Sequence, residues 1–112
     1  MKPTRVIMVG EAEKTFGELL KSKKKEHSAL INSIKQKSDM LKDNPHFGDP
    51  ISKKKIPQKY FKQGFTNLFR IPLTGYWRML YSLKGNEVEI ISFILEILDH
   101  KKYEKLFGYK KS

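Results

Sequence analysis

The sequence predicts an α+β domain in which one strand, two helices and three further strands follow one another in the order β-α-α-β-β-β. Two observations favour this fold class. Apolar residues repeat with a helical period in the first half of the chain, and short turns join three strand-like segments in the second half. The 112 residues suffice for one modest core, so residues 1–112 are predicted to form a single domain.

The first half of the chain predicts a buried strand followed by an antiparallel helical hairpin. Residues 5–9, RVIMV, are a β-rich apolar run that a glycine follows. Acidic residues in the first turn and an apolar stripe then predict a helix from Glu11 to the lysine run 23–25. Ser28 is the expected N-cap of the second helix, which the helix-breaking segment 43–50, DNPHFGDP, ends.

The second half predicts a three-stranded antiparallel meander. Residues 51–65 are basic, show no clear period and are expected to form a loop. Strands are predicted at 66–73, 76–83 and 87–98, with glycine-containing turns between them. The helical hairpin would cover one face of this sheet. The other face would be less completely covered, so that strand side chains there can reach a ligand.

Charge and composition narrow the function classes. The formal net charge is +11, and residues 1–50 carry ten Lys and Arg against seven Asp and Glu, while residues 51–112 carry thirteen against five. Such a field favours a polyanionic partner such as nucleic acid or an acidic protein, although a merely solvated lysine surface gives the same composition. The chain has no cysteine, which excludes disulfides, thiolate catalysis and a cysteine-based zinc site.

The hydropathy pattern predicts a soluble, cytoplasmic protein. The longest apolar stretch, residues 90–98, is interrupted by Ser92 and Glu96 and is too short to span a bilayer. Residues 1–14 lack the long apolar run and the small-residue cleavage site of a signal peptide. Three scattered histidines without a repeated spacing predict no metal site.

One arginine is unusual among the predicted strands. Side chains alternate along a strand, which makes one face of residues 76–83 apolar and turns Arg78 toward the opposite face. The apolar face consists of Trp77, Met79, Tyr81 and Leu83. A half-buried guanidinium costs free energy unless it is paired, hydrated or bound to a ligand. Arg78 is therefore either structural, paired with Glu96 or Asp99 or lying over a tyrosine ring, or it binds a ligand.

The segment LFRIPLTGYWRMLYSLKGNEVEIISFI, residues 68–94, resembles the RelE/ParE toxin superfamily. The likeness includes the preceding hairpin and basic stretch, and its distinctive motif is GYWRMLY with the tail after the last strand. It implies a RelE-like fold. RelE-like members are toxins of type II toxin–antitoxin systems that cleave mRNA on the ribosome, and an antitoxin holds each one inactive. Their chemistry implies no metal and no other cofactor, because the ribose 2′-hydroxyl attacks the adjacent phosphate.

The resemblance implies four catalytic residues in this chain. Arg78 matches the mid-strand arginine of the family and would stabilise the phosphorane charge, because a guanidinium can grip two phosphate oxygens. Arg70 would hold a neighbouring phosphate, although an apolar residue occupies the second basic position expected on its strand. In the tail segment DHKKY, His100 would act as acid or base and Tyr103 would stack on a nucleobase. The alternative is that His100 is an exposed residue after the strand and that Tyr103 packs the tail.

Lysines supply the RNA-binding surface that fits this resemblance. A run after the helical hairpin and two residues of the tail would follow a phosphate backbone without choosing a sequence. These residues are Lys53, Lys54, Lys55, Lys59, Lys101 and Lys102. The plain alternative is that these lysines are only solvated.

Three functional hypotheses follow. The first is a ribosome-dependent endoribonuclease, an mRNA interferase, with mRNA, the ribosome and an acidic antitoxin as partners. The second is a ParE-like toxin that shares the fold and inhibits DNA gyrase by protein contact. The third is a catalytically degenerate member that binds RNA or a partner. The missing basic residue on the Arg70 strand and the short spacing from His100 to Tyr103 keep the third hypothesis open.

Overall fold

The computed structural model describes residues 2–108 and shows a five-stranded mixed sheet with helices on both faces. The elements are, in chain order, β1 (Thr4–Met8), α1 (Gly10–Lys21), α2 (Lys25–Asp43), β2 (Asp49–Pro50), α3 (Gln58–Lys62), β3 (Phe69–Pro72), β4 (Arg78–Gly85), β5 (Ile90–Leu98) and α4 (His100–Phe107). Short 3₁₀ turns lie at Lys53–Lys55 and Thr74–Tyr76. The α+β class and the N-terminal strand, helical hairpin and three-stranded meander are as predicted.

The sheet has the strand order β1-β5-β4-β3-β2. β1 runs parallel to β5, and the other neighbouring strands are antiparallel. β5 therefore lies inside the sheet, and helices cover both of its faces. This position explains why its sequence, IISFILEIL, is almost continuously apolar instead of alternating. Within residues 2–108, every helix is too short or too polar to traverse a bilayer.

The hairpin of α1 and α2 packs on one face of the sheet. The core cluster on this face joins helix residues with residues of β3, β4 and β5. It consists of Ala12, Leu19, Leu30, Ile34, Leu41, Ile71, Leu73, Met79, Tyr81, Ile94 and Ile97. Trp77 and Leu83 pack against the same cluster. The alternation predicted for β4 is thus confirmed, since its apolar face lies against the helices.

The start of α2 differs from the prediction. The helix begins at Lys25, so Ser28, the expected N-cap, lies inside its first turns. Ser22 instead forms hydrogen bonds within the linker between the helices. Its hydroxyl accepts a hydrogen bond from the Lys24 N–H at 3.2 Å and lies 2.6 Å from His27 Nδ1. Because both residues are serines, residue type alone did not show that Ser22, and not Ser28, lies before the helix.

The opposite face of the sheet is covered more completely than predicted. The expected loop at residues 51–65 contains a 3₁₀ turn and α3, and the tail forms α4. These segments pack a second core cluster on the sheet. Its buried members are Ile56, Tyr60, Phe65, Leu68, Leu80, Leu95 and Tyr103. The part of this sheet face that a ligand can reach is therefore the edge of the second cluster.

A bulge in β5 turns an acidic residue into this second layer. The β4–β5 register pairs Leu80 with Glu96 and Tyr81 with Ile94, which leaves Leu95 as the extra residue. Glu96 is only 5% exposed. Its Oε2 accepts hydrogen bonds from the Tyr60 hydroxyl and from Lys59 Nζ, both at 2.8 Å, so α3 supplies both partners of the buried carboxylate.

Gly48 permits a close approach of the loop before β2 to the sheet. Its N–H lies 2.9 Å from the Tyr81 hydroxyl, and a Cβ at this position would lie 2.8 Å from Tyr81 Cε1 and 3.0 Å from the carbonyl oxygen of Arg70. We expect Gly48→Ala to lower the free energy of unfolding by about 1–3 kcal/mol in urea denaturation, because the added methyl overpacks a buried site.

Gly17→Ala is the matched control. Gly17 lies within α1, and an added Cβ would meet no atom within 4 Å. This substitution should raise the free energy of unfolding by about 0.5–1 kcal/mol, because alanine favours the helix. Equal effects of the two substitutions would contradict the packing described for Gly48.

Two buried tyrosines predict a loss of stability at alkaline pH. Burial raises the pKa of Tyr60 and Tyr81 above 10.0, and the Glu96 carboxylate raises the pKa of Tyr60 further. Because each folded pKa exceeds the unfolded one, this contribution is complete below pH 10 and is lost as the pH rises above it. The free energy of unfolding should fall from about pH 10 upward, and a Tyr60→Phe/Tyr81→Phe double variant should show a shallower slope. An unchanged slope would show that other groups cause the loss.

Candidate functional site

Two arginines on neighbouring strands face the side of the sheet opposite the helical hairpin. Arg70 of β3 pairs with Leu80, and Pro72 pairs with Arg78 of β4. Arg70 and Arg78 are therefore diagonal neighbours on one face, an arrangement that places Cβ atoms roughly 7–8 Å apart. Both side chains are partly exposed.

Tyr103 of α4 contacts both guanidinium groups. Its hydroxyl accepts a hydrogen bond from Arg70 Nη1 at 2.9 Å. Its ring centroid lies 6.0 Å from Arg70 Cζ and 5.7 Å from Arg78 Cζ, distances at which a cation is attracted to an aromatic face. The ring also packs on Phe107, with 4.8 Å between ring centroids. One buried side chain thus brings the two cations into a single cluster.

The connection from β5 to α4 explains how Tyr103 reaches the arginines. Leu98, the last residue of β5, pairs with Arg78, so α4 begins directly beside this arginine. Asp99 is the N-cap of α4 and accepts a hydrogen bond from the Lys102 N–H at 2.8 Å. Gly108 ends the helix in the left-handed conformation, which suits glycine.

A cleft of about 270 Å³ opens beside this cluster. Its walls come from the segment after β2, from β3 and from α4. The lining residues are Pro50, Ile51, Ser52, Lys55, Arg70, Tyr103 and Phe107. Asp49 Oδ2 lies 3.9 Å from Arg70 Nη2, but its side chain is 71% exposed, so this ion pair contributes little stability. The cleft is therefore a basic, partly aromatic site suited to an anion.

The structure answers which partner Arg78 has. Of the structural partners expected for Arg78, the structure shows the tyrosine ring. The two candidate carboxylates have other partners, because Glu96 is bound to α3 and Asp99 caps α4. The Arg78 guanidinium also donates from Nη1 to the carbonyl oxygen of Trp77 at 3.2 Å. No carboxylate in the described part of the chain forms an ion pair with Arg78. The charge of Arg78 is therefore offset by the ring, a carbonyl and solvent, and the side chain keeps donors for a ligand.

His100 has a different environment from the cluster. It is the first residue of α4, its imidazole is 55% exposed, and its Nε2 lies 2.6 Å from Glu104 Oε1. The partner of His100 thus lies one turn further along the same helix. The acid–base role of His100 stays a prediction.

The predicted RNA-binding lysines are distributed over three places. Lys55 lines the cleft, and Lys53 and Lys54 are exposed in the same 3₁₀ turn. Lys59 is held 2.8 Å from Glu96. Exposed lysines also lie in the first turn of α4, namely Lys101 and Lys102. The structure thus places Lys55 in one cleft with Arg70 and Tyr103, and the role of each lysine in RNA binding stays a prediction.

Of the two roles that the sequence left open for Tyr103, packing and base stacking, the structure shows packing. The residue is only 5% exposed, which leaves little ring surface for the base stacking predicted for it. Phe107, which lines the cleft and packs on Tyr103, was not among the residues that the sequence predicted for the site. Its position four residues after Tyr103 would have been informative if the tail had been recognised as a helix. Within residues 2–108, no three His, Cys, Asp or Glu side chains come together as metal ligands would.

The contacts of Tyr103 predict graded losses of stability. Tyr103→Phe removes the hydroxyl that accepts from Arg70 and should lower the free energy of unfolding by about 1 kcal/mol. Tyr103→Ala also removes the buried ring and should cost about 3–5 kcal/mol. Tyr76→Phe, at a 77% exposed position, is the control and should stay within about 0.5 kcal/mol of the wild type. If Tyr103→Ala were as stable as the control in urea denaturation, this ring would not hold α4 to the sheet.

Comparison with known proteins supports the fold. No family model and no curated protein sequence matches the chain. Among solved structures, the chain is similar to a YoeB/ParE toxin from Agrobacterium tumefaciens, with a TM-score of 0.62 and 10% sequence identity. The similarity covers 86% of this chain and 98% of the toxin chain. This likeness shows the fold alone, and it confirms the RelE-like fold that the sequence resemblance implied.

Proposed function

We propose that the chain is the toxin of a toxin–antitoxin system and that it cleaves mRNA on the ribosome. The observation that carries this proposal is the meeting of Arg70 and Arg78 around Tyr103, beside a cleft open to solvent that Lys55 also lines. The fold supports the toxin class, because a solved structure with this fold is described as a YoeB/ParE toxin. The fold by itself supports a gyrase inhibitor equally well, and the basic cluster is the feature that favours RNA.

The cluster supplies what phosphoryl chemistry requires. The 2′-oxygen forms a bond to phosphorus while the bond from phosphorus to the 5′-oxygen breaks, which leaves a cyclic phosphate and a 5′-hydroxyl. Negative charge grows on the non-bridging oxygens, and fixed cations stabilise it. Arg78 would bind these oxygens through its planar fork, while Arg70 and Lys55 would hold adjoining phosphates.

Two protons must also move in this reaction. A base takes the proton of the 2′-hydroxyl, and an acid gives a proton to the leaving 5′-oxygen. His100 is proposed for one of these tasks, because its imidazole is 55% exposed and its contact with Glu104 is at the surface. Arg78 and Arg70 remain charged throughout and carry no proton transfer. The cytoplasm, where mRNA meets the ribosome, stays the predicted location.

An acidic antitoxin is the proposed protein partner. The net charge of +11 favours an acidic chain that orders itself on this surface as it binds. Such a partner would neutralise the cleft and keep RNA out of it. The lysine turn at Lys53–Lys55 and the α4 lysines would add affinity for either polyanion, which makes the two ligands competitors.

Cell-free translation followed by primer extension on the mRNA tests the proposal. The wild type should introduce cuts only in translated message. Arg78→Ala should reduce cleavage about 10²- to 10³-fold, because it removes the donor to the developing charge. Arg5→Ala is the matched control, because Arg5 is also a strand arginine, is bound to Glu89 in a bidentate pair and should leave cleavage unchanged.

The remaining outcomes separate the alternatives. Uncut message together with inhibited DNA supercoiling by gyrase would establish the ParE-like function instead. Uncut message with normal gyrase activity would indicate a degenerate member. If Arg78→Ala fails to fold, Arg78→Lys retains the charge without the planar fork and should fold while losing most of the cleavage.

A further inference from the structure

Tyr76 is an exposed aromatic residue whose backbone adopts an unfavourable conformation. Its side chain is 77% exposed, the largest value among the bulky apolar residues in the described chain. Its φ is 62°, and it is the one residue other than glycine with a positive φ between residues 2 and 108. The left-handed region costs free energy for a bulky side chain. A tyrosine that contributes little to the core therefore occupies a position where glycine would be more stable.

The turn that carries Tyr76 is firmly attached to the rest of the domain. The Leu73 N–H donates to the carbonyl oxygen of Trp77 at 2.8 Å, and the Thr74 N–H donates to Ser33 Oγ of α2 at 3.2 Å. Arg78 Nη1 donates to the same Trp77 carbonyl. The exposed ring thus stands on a fixed base, which lowers the entropy lost when a ligand binds it.

Tyr76 is also close to the basic cluster. It precedes Arg78 by two residues, so the two Cα atoms are at most about 7.6 Å apart. The start of α4 lies at the same end of the sheet, because Leu98 pairs with Arg78. This Cα separation is short enough for one nucleotide to span from a phosphate at Arg78 to the turn that carries Tyr76.

We propose that Tyr76 is a stacking platform for a nucleobase of single-stranded RNA, next to the phosphate bound at Arg78. This inference rests on the RNA-binding step of the proposed function. Stacking requires one accessible ring and accepts any base, and Tyr76 offers such a ring where the buried Tyr103 does not.

RNA is favoured over a protein partner for this position. A protein interface has an apolar centre formed by several residues. The other exposed apolar side chains lie on different elements: Leu20 on α1, Phe47 after α2 and Val88 in the β4–β5 turn. Tyr76 is thus the one large apolar side chain of its turn that is strongly exposed, two residues from Arg78, which matches single-stranded nucleic acid better than an apolar protein surface.

The test measures binding of a 2′-O-methyl hexaribonucleotide, which lacks the attacking hydroxyl. Trp77 is the single tryptophan of the chain and lies next to Tyr76, so its fluorescence reports occupancy. Tyr76→Ala should weaken binding roughly 5- to 150-fold, the loss expected for one base stacked on an aromatic ring. Tyr76→Phe should bind like the wild type. Val88→Ala, which removes an equally exposed apolar side chain in the β4–β5 turn, is the control and should also bind like the wild type.

Two further measurements make the interpretation specific. An oligonucleotide with one abasic position at the stacked base should bind the wild type more weakly by the same factor that Tyr76→Ala causes. The abasic position should not weaken binding to Tyr76→Ala any further. Tyr76→Gly should bind as weakly as Tyr76→Ala but unfold at a higher temperature, because glycine accepts the positive φ.

The stacking site and the proposed function can fail separately. A wild type that cleaves translated message, with Tyr76→Ala unchanged in affinity and cleavage, would overturn the stacking site alone. A wild type that neither binds the oligonucleotide nor cleaves message would overturn both. If Tyr76→Ala abolished growth arrest with unchanged RNA affinity, the ring would belong to a protein contact and the stacking site would be overturned.

Discussion

The packing of the Tyr103 ring against two guanidinium groups is the interaction on which the proposed site depends. Arg70 and Arg78 lie on adjacent strands and on one face, where like charges repel. The aromatic ring attracts both cations, and its hydroxyl accepts a hydrogen bond from Arg70. The same ring is a buried member of the second core cluster. Folding of α4 onto the sheet and assembly of the cationic site are therefore one event.

The second layer of the fold also determines which charges remain available. The bulge at Leu95 turns Glu96 toward α3, where Lys59 and Tyr60 bind it. Glu96 lies on the same face of the sheet as Arg78, for which the sequence had made it a candidate partner. Because α3 binds the acid, the positive charge beside Tyr103 is not neutralised by it. A short helix without catalytic residues thus contributes to the electrostatics of the cleft.

Local patterns in the sequence predicted much of the fold and the orientation of Arg78. Strand alternation has a period of two residues, so the face that Arg78 occupies follows from its immediate neighbours. The helix α3 has only five residues, and its buried residue Tyr60 packs on distant parts of the chain. The sequence therefore shows no helical periodicity there. The burial of Tyr103 and the bulge at Leu95 likewise arise from contacts between elements far apart in sequence. The sequence therefore indicated the arginines of the site but left the role of Tyr103 open between packing and base stacking.

The central claim is that Arg70 and Arg78 form one anion site. The chain has three arginines, so the Nε–Hε region of a ¹⁵N NMR spectrum should contain three side-chain signals, with Arg5 as an internal control bound to Glu89. Titration with inorganic phosphate should shift the Arg70 and Arg78 signals along one common binding curve and leave the Arg5 signal in place. Independent curves for Arg70 and Arg78, or no shift of either signal, would contradict a shared site.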